Sequence, residues 1–166
     1  MTFEEYQTKA ESFKTPSANN LEYLTLGLVG ELGEAAGKLA KKIRDDKFDK
    51  EAFAQELGDI LWFLANLTPH YKGLTWESVE KIAGTAEDNY AGKKPVEIFL
   101  LFSERVAATA YFSKFLKWHN FAITLYGLSC VAAKYGYTLE QLAELNIAKL
   151  SSRKARGVIQ GNGDER

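Results

Sequence analysis

The stretch that decides the fold is residues 21–67, which read LEYLTLGLVGELGEAAGKLAKKIRDDKFDKEAFAQELGDILWFLANL. It contains two short acidic motifs, ELGE at 31–34 and ELGD at 56–59. On a helix, a spacing of three residues places both carboxylates of a motif on one face. Two such helices packed antiparallel would direct four carboxylates into one space, and hard divalent cations prefer such oxygen ligands. The candidate metal ligands are Glu31, Glu34, Glu56 and Asp59.

The residues around both motifs favour helices with a buried face. Apolar residues follow the second motif almost without interruption to residue 67. No Lys or Arg follows Glu56 until Lys72, so neither Glu56 nor Asp59 has a basic partner three or four residues further along. Because a buried unpaired charge is costly, we expect a metal ion to supply the pairing. Around the first motif, the apolar positions at helical spacing are Leu28, Leu32, Ala35, Leu39 and Ile43.

A simpler interpretation of each motif is a solvated acidic face. In the first motif Glu34 has Lys38 at i+4, which suits an ordinary surface ion pair. The second motif has no such local partner. The occurrence of two motifs on consecutive helices favours the metal interpretation.

Composition indicates one soluble globular domain. The chain has 166 residues, of which 46% are hydrophobic and 26% charged. A net charge of -1 gives no general attraction to nucleic acid or to an anionic membrane. Cys130 is the single cysteine, which excludes an internal disulfide and suits a reducing cytosol. The first residues are polar and acidic, unlike a signal peptide, and no apolar run reaches membrane-spanning length. We therefore expect a cytoplasmic protein.

Helix signals recur along the whole chain, whereas strand signals are nearly absent. Capping boxes at Thr2 with Glu5 and at Thr138 with Gln141 predict the starts of the first and last helices. The fold class predicted is all-α, a helical bundle. The predicted helices run to about residue 13, then over about 21–44, 50–67, 75–90, 95–118, 121–134 and 138–152.

The segment after Ser152 combines cations with glycines at 157, 161 and 163. Backbone amides, Lys and Arg are suited to binding a polyphosphate. The alternative is a disordered terminus that contacts nothing. We expect residues 153–166 to form a flexible glycine-rich tail.

Taken together, these motifs resemble the MazG-like nucleoside triphosphate pyrophosphohydrolases of the all-α NTP pyrophosphatase superfamily. The resemblance rests on GLVGELGEAAGK at 27–38, ELGDILWFL at 56–64, LAELNIAKL at 142–150 and the terminal segments 153–157 and 161–164. It covers roughly residues 1–67 and 125–166. Within a single domain of residues 1–166, the segment 68–124 looks like a helical insertion.

The resemblance implies a Mg²⁺-dependent hydrolase, with Mn²⁺ as a substitute, that controls or cleans the nucleotide pool. It would cleave a (d)NTP between the α- and β-phosphates, giving the monophosphate and pyrophosphate. The four acids fall on the family's metal-binding motifs, and one of them would accept the proton of the attacking water. The residues that fall where family members contact phosphates and sugar are Lys38, Asn146, Lys149, Arg153 and Arg156.

The resemblance also implies a homodimer or homotetramer. The aromatic-rich residues 99–121 exceed what one small core would consume, so we expect the inserted segment to contribute to a subunit interface. Two other functions stay open. One is phosphoribosyl-ATP pyrophosphohydrolase, which shares the superfamily, and the other is a non-catalytic helical assembly module that uses the acids as a metal staple.

Overall fold

Helices account for the regular structure of the chain in a computed structural model, which describes residues 1–70, 90–111 and 118–158. No strand forms in these residues, so the all-α prediction is confirmed. Two short 3-10 turns, Pro16–Ala18 and Thr68–His70, join or follow the longer elements. The helices are α1 (Phe3–Glu11), α2 (Leu21–Asp45), α3 (Lys50–Leu67), α4 (Pro95–Tyr111), α5 (Trp118–Lys134) and α6 (Leu139–Ala155).

Local capping interactions fix several helix ends. Both predicted capping boxes are present, at Thr2 before α1 and at Thr138 before α6. The side chain of Asp49 accepts a hydrogen bond from the backbone of α3 at its first turn. After α5 the chain turns at Gly136, which has a φ of 75°, and the Tyr137 N–H donates to the Ala132 carbonyl. This is the helix stop that a left-handed glycine provides.

The predicted bounds differ from the structure mainly near the end of the chain. Helix α6 continues to Ala155 rather than to residue 152, so the first three residues of the predicted flexible tail are helical. The rest of that tail, residues 159–166, lies outside the described residues. So does nearly all of the predicted helix 75–90. Helix α4 covers residues 95–111 of the predicted helix 95–118. Residues 112–117 lie outside the described part, and residue 118 belongs to α5.

Helix α3 is the central element of the core. It packs against α1, α2, α5 and α6, and most of its residues are buried. Helices α2 and α3 form an antiparallel hairpin, because Gly27 lies against Phe63 while Lys38, eleven residues later, lies against Glu56. This hairpin brings the two acidic motifs to the same level of the bundle.

Helix α4 lies within the expected insertion 68–124 and α5 begins in it, and both share the same core. They pack on each other, α4 packs on α2, and α5 packs on α3. Phe99, Phe102 and Phe121 are buried within this core. Tyr111, at the end of α4, is 82% exposed, and the side chains of residues 112–119 lie outside the described part of the chain. That the aromatic residues of 99–121 exceed one core, and that the insertion contributes to a subunit interface, therefore stays a prediction. Within the described part of the chain, no helix is both long and apolar enough to span a membrane.

Candidate metal centre

Three carboxylates meet where the two acidic motifs face each other across the α2–α3 hairpin. Glu31 on α2 and Glu56 and Asp59 on α3 each offer an oxygen, and the three oxygens lie within 4.8 Å of one another. Glu56 is buried, whereas Glu31 and Asp59 are partly exposed. In octahedral Mg²⁺ sites, ligand oxygens at about 2.1 Å from the ion are separated by roughly 3–4 Å. A small contraction would therefore let these three carboxylates share one cation.

Glu34, the fourth acid predicted as a ligand, is not part of this three-carboxylate group. It lies one turn after Glu31 on α2 and is exposed. Its negative charge still reaches the group, because it contributes to raising the pKa of Glu31. Glu34 is thus a residue at the rim of the cluster.

Two lysines from other helices pair with the acids of α3. The Lys38 Nζ of α2 lies 2.9 Å from the Glu56 Oε1, and the Lys149 Nζ of α6 donates to the Asp59 Oδ2. The expectation that Glu56 and Asp59 lack basic partners is therefore wrong. The sequence around these acids could not show the partners, since both are brought there by the packing of separate helices.

The second oxygen of Asp59 is held by a buried hydrogen-bond chain. The Asn146 Nδ2 donates to the Asp59 Oδ1 at 2.8 Å, and the Tyr6 hydroxyl donates to the Asn146 Oδ1 at 3.0 Å. Tyr6 and Asn146 are only 1% and 2% exposed. Both carboxylate oxygens of Asp59 therefore have fixed donors, which sets the orientation of the group.

Tyr6 is a member of the site that sequence reasoning missed. Its one signal was an aromatic side chain on an amphipathic helix, and that pattern predicts an ordinary core position. Burial, and secondarily the Asp59 carboxylate, raise the pKa of Tyr6 well above the usual value for a phenol. The hydroxyl therefore remains a neutral donor throughout the physiological range.

A glycine lets α3 and α6 approach closely enough to form these contacts. A Cβ added to Gly58 would stand 3.2 Å from the Leu142 carbonyl oxygen and 3.3 Å from the Asn146 Cβ. Such distances are shorter than an ordinary van der Waals contact. The glycine before Asp59 is therefore part of what positions its carboxylate beside α6.

Glu31 differs from the other two acids in having no hydrogen bond or salt bridge to any residue that the structure describes. Burial and, after it, the negative charges of Asp59, Glu34 and Glu56 together raise the pKa of Glu31 to about 8, against the opposing effect of Lys149. A partly buried carboxyl group facing other carboxylates is what a divalent cation would stabilise in its ionised form. The residues present therefore fit a hard divalent cation.

The predicted phosphate-binding residues divide into two groups. Lys38, Asn146 and Lys149 contact the acidic cluster directly. Arg153 lies one turn beyond Lys149 on α6 and is partly buried. Arg156 is the exposed C-cap residue of the same helix, about 10 Å along the axis from Lys149. The arginines thus extend a basic edge away from the cluster.

The fold and this cluster define an all-α protein with a candidate divalent-cation site between two antiparallel helices. Among curated proteins, the chain is similar to the Gene 37 protein of Mycobacterium phage L5, with 26% identity over 155 residues. The match covers 90% of this chain and 80% of the phage protein. The name of that protein states no activity. No family model and no solved structure matches the chain.

Proposed function

We propose that this chain is a Mg²⁺-dependent nucleoside triphosphate pyrophosphohydrolase of the MazG-like type, which cleaves a (d)NTP into the monophosphate and pyrophosphate. The observation that carries the proposal is the three-carboxylate group of Glu31, Glu56 and Asp59 on antiparallel helices. The flanking Lys38 and Lys149 add cations to the same place. An anionic metal site bordered by ammonium groups suits a metal–polyphosphate complex.

The acids would hold the cation and the lysines would hold the substrate. When bound, Mg²⁺ supplies charge neutralisation and Lewis acidity at the phosphates. With a cation held by Glu56 and Asp59, Lys38 and Lys149 would be less strongly attracted to these carboxylates. Their ammonium groups, which lie beside the cluster, would then be available to hold phosphate oxygens.

Glu34 is suited to a different role from the three clustered acids. It lies outside the three-carboxylate group but within electrostatic reach of Glu31, and it is exposed to solvent. A general base has to reach a water molecule while remaining ionised. We therefore assign Glu34 as the residue that accepts the proton of the attacking water.

The salt bridges also support a second candidate function. Lys38 pairs with Glu56, and Lys149 pairs with Asp59. A helical assembly module could use these partly buried ion pairs to fix how its helices pack. On this alternative the cluster contributes specificity of folding and no chemistry.

The deciding experiment measures pyrophosphate release from a panel of NTPs, dNTPs and phosphoribosyl-ATP, with Mg²⁺ and with EDTA. We expect Mg²⁺-dependent formation of pyrophosphate and monophosphate, and no free orthophosphate. Glu31→Gln and Asp59→Asn should each abolish it, whereas Glu144→Gln, on an exposed part of α6, should not. Absence of turnover on every substrate, with the protein folded, would favour the assembly module.

A further inference from the structure

The face of α2 that points away from the core is apolar. On this face Leu26 is 72% exposed and Val29 is 44% exposed. Ile43, near the end of α2, is 71% exposed, so the expectation that it lies on the buried face of the helix is wrong. At helical spacing, the other positions on this face, opposite the buried one, are occupied by three glycines and an alanine. The α2 outer face, as we call it, consists of Leu26, Val29, Gly30, Gly33, Gly37 and Ala40. It carries no charged side chain over about four helical turns.

The packing of the described residues does not explain the glycines of the α2 outer face. A Cβ added to Gly30, Gly33 or Gly37 meets no atom of the described residues within 4 Å. Gly27, nearer the core, behaves differently, because a Cβ there would stand 2.2 Å from the ring of Phe63. Glycine inside a helix is destabilising relative to alanine. Three such residues on one exposed face are expected where another backbone approaches closely.

Charges at the two ends of the face are complementary to each other. Glu22 lies eleven residues before Gly33, and Arg44 lies eleven residues after it. Both side chains are exposed. Among the salt bridges of the described residues, Arg44 pairs with the neighbouring Asp45, and the Arg44 Nη2 lies 2.7 Å from the Asp45 Oδ2. If two α2 helices cross antiparallel at Gly33, Glu22 of each copy faces Arg44 of the other.

The sizes of the apolar residues show the same symmetry about Gly33. Leu26, seven residues before it, would face Ala40 of the second copy, seven residues after it. Val29 would likewise face Gly37. Large residues on the first half of the face thus meet small ones on the second half, which permits close packing of the two helices.

We propose that the α2 outer face is a self-association surface that binds a second copy of this chain, with the two α2 helices antiparallel and crossing at Gly33. A second copy of the chain is the partner that fits this face. With Gly33 as the centre, the charges and residue sizes on one half of the face are complementary to those on the other half. Glu31 lies on the core side of α2, so this interface is separate from the cation site.

Substitution of Gly33 tests the crossing point. The wild-type chain should be a dimer by sedimentation velocity at about 10 µM, and Gly33→Glu should weaken the dimer at least about 100-fold, since two like charges then meet at the axis. The monomer should keep its helices, because a Cβ at Gly33 has open space. Gln55→Glu, exposed on α3, is the matched control and should leave the dimer intact. A wild-type monomer, or a dimer unchanged by Gly33→Glu, would overturn the proposal.

Disulfide trapping tests the antiparallel direction. Under mild oxidation Gly33→Cys should form a cross-linked dimer, because the two cysteines meet at the axis. In Gly37→Cys the two cysteines would be separated by about 12 Å along the helices, too far for a disulfide. The wild-type chain, which contains only Cys130, gives the background. Equal cross-linking at both positions would indicate parallel helices and contradict the proposal. Asp59→Asn alters the cation site and leaves the α2 outer face unchanged. The catalytic proposal and the self-association proposal can therefore fail independently of each other.

Discussion

At the scale of single residues, the three clustered acids differ in what surrounds their carboxyl groups. Glu56 has Lys38, and Asp59 has Lys149 and Asn146. Glu31 faces mainly other carboxylates, and its pKa is raised to about 8. Neutralising Glu31 should therefore relieve repulsion, whereas neutralising Glu56 should remove an attraction.

We predict opposite stability effects for Glu31→Gln and Glu56→Gln in EDTA at pH 9. Glu31→Gln should raise the free energy of unfolding by at least about 1 kcal/mol, because it removes a carboxylate held against its neighbours. Glu56→Gln should lower it by about 1–3 kcal/mol, because the nearby Lys38 loses a buried partner. Urea denaturation measures both, with Glu144→Gln as the control. Destabilisation by Glu31→Gln would show that its carboxylate is not repelled.

The raised pKa of Glu31 also predicts a pH dependence. Between about 4.5, its ordinary value, and about 8, the metal-free folded protein keeps a proton that the unfolded chain has lost. The contribution of Glu31 to the free energy of unfolding therefore falls as pH rises through this window, by at most about 1.4 kcal/mol per pH unit. Below pH 4.5 this contribution is constant.

Cation binding should reverse the protonation of Glu31. We expect Mg²⁺ affinity to increase from pH 6 to pH 8, with about one proton released per cation near pH 7. Titration calorimetry in two buffers of different ionisation enthalpy counts that proton. Equal binding enthalpies in both buffers would contradict the assignment, and Glu31→Gln should show no proton release.

At the scale of elements, the site depends on how closely α6 approaches α3. Gly58 makes this approach possible, and Asn146 uses it to reach Asp59. The Leu142 carbonyl belongs to the backbone of α6, so it cannot move without the helix. A methyl group at residue 58 should therefore displace α6 as a unit.

We predict that Gly58→Ala lowers the free energy of unfolding by about 1–3 kcal/mol, since overpacking outweighs the gain in helix propensity. It should also weaken Mg²⁺ binding, because the displacement pulls Asn146 from Asp59. Gly37→Ala, where a Cβ has open space, is the control and should stabilise the monomer by about 0.5–1 kcal/mol. Urea denaturation at submicromolar concentration measures both. Equal stability of the two variants would show that α6 adapts without cost.

At the scale of the whole molecule, the cluster connects three parts of the chain that are distant in sequence. Helix α1 contributes Tyr6, the α2–α3 hairpin contributes the acids, and α6 contributes Asn146 and Lys149. A ligand bound by all of them can be held only by the folded state. Cation binding should therefore stabilise the entire fold.

We predict that Mg²⁺ at about 100 times its Kd stabilises the protein by about 2.7 kcal/mol. For a chain of this size the corresponding rise in Tm is roughly 5–10 °C. Calorimetry in EDTA and in Mg²⁺ measures the shift, and Asp59→Asn should abolish most of it. Superimposable melting curves would argue against a structural cation site.

The sequence by itself determined the elements of this protein and which faces of them carry acids. Helical periodicity, the capping boxes at Thr2 and Thr138, and the stop at Gly136 depend on residues close together in the chain, so the sequence shows them directly. The hairpin spacing also predicted that Glu31 would meet Glu56 and Asp59. These features depend on residues close together in the sequence, or on the single short turn that joins α2 and α3.

The tertiary structure alone decided the partners of the acids. Lys149 is 90 residues from Asp59, and Tyr6 is 140 residues from Asn146. No periodicity connects such residues, because their contact depends on which helices pack together and how closely. The same packing left Glu34 at the rim and Gly30 and Gly33 of α2 exposed to solvent. Burial among other carboxylates, which raises the pKa of Glu31, likewise exists only once the bundle has formed.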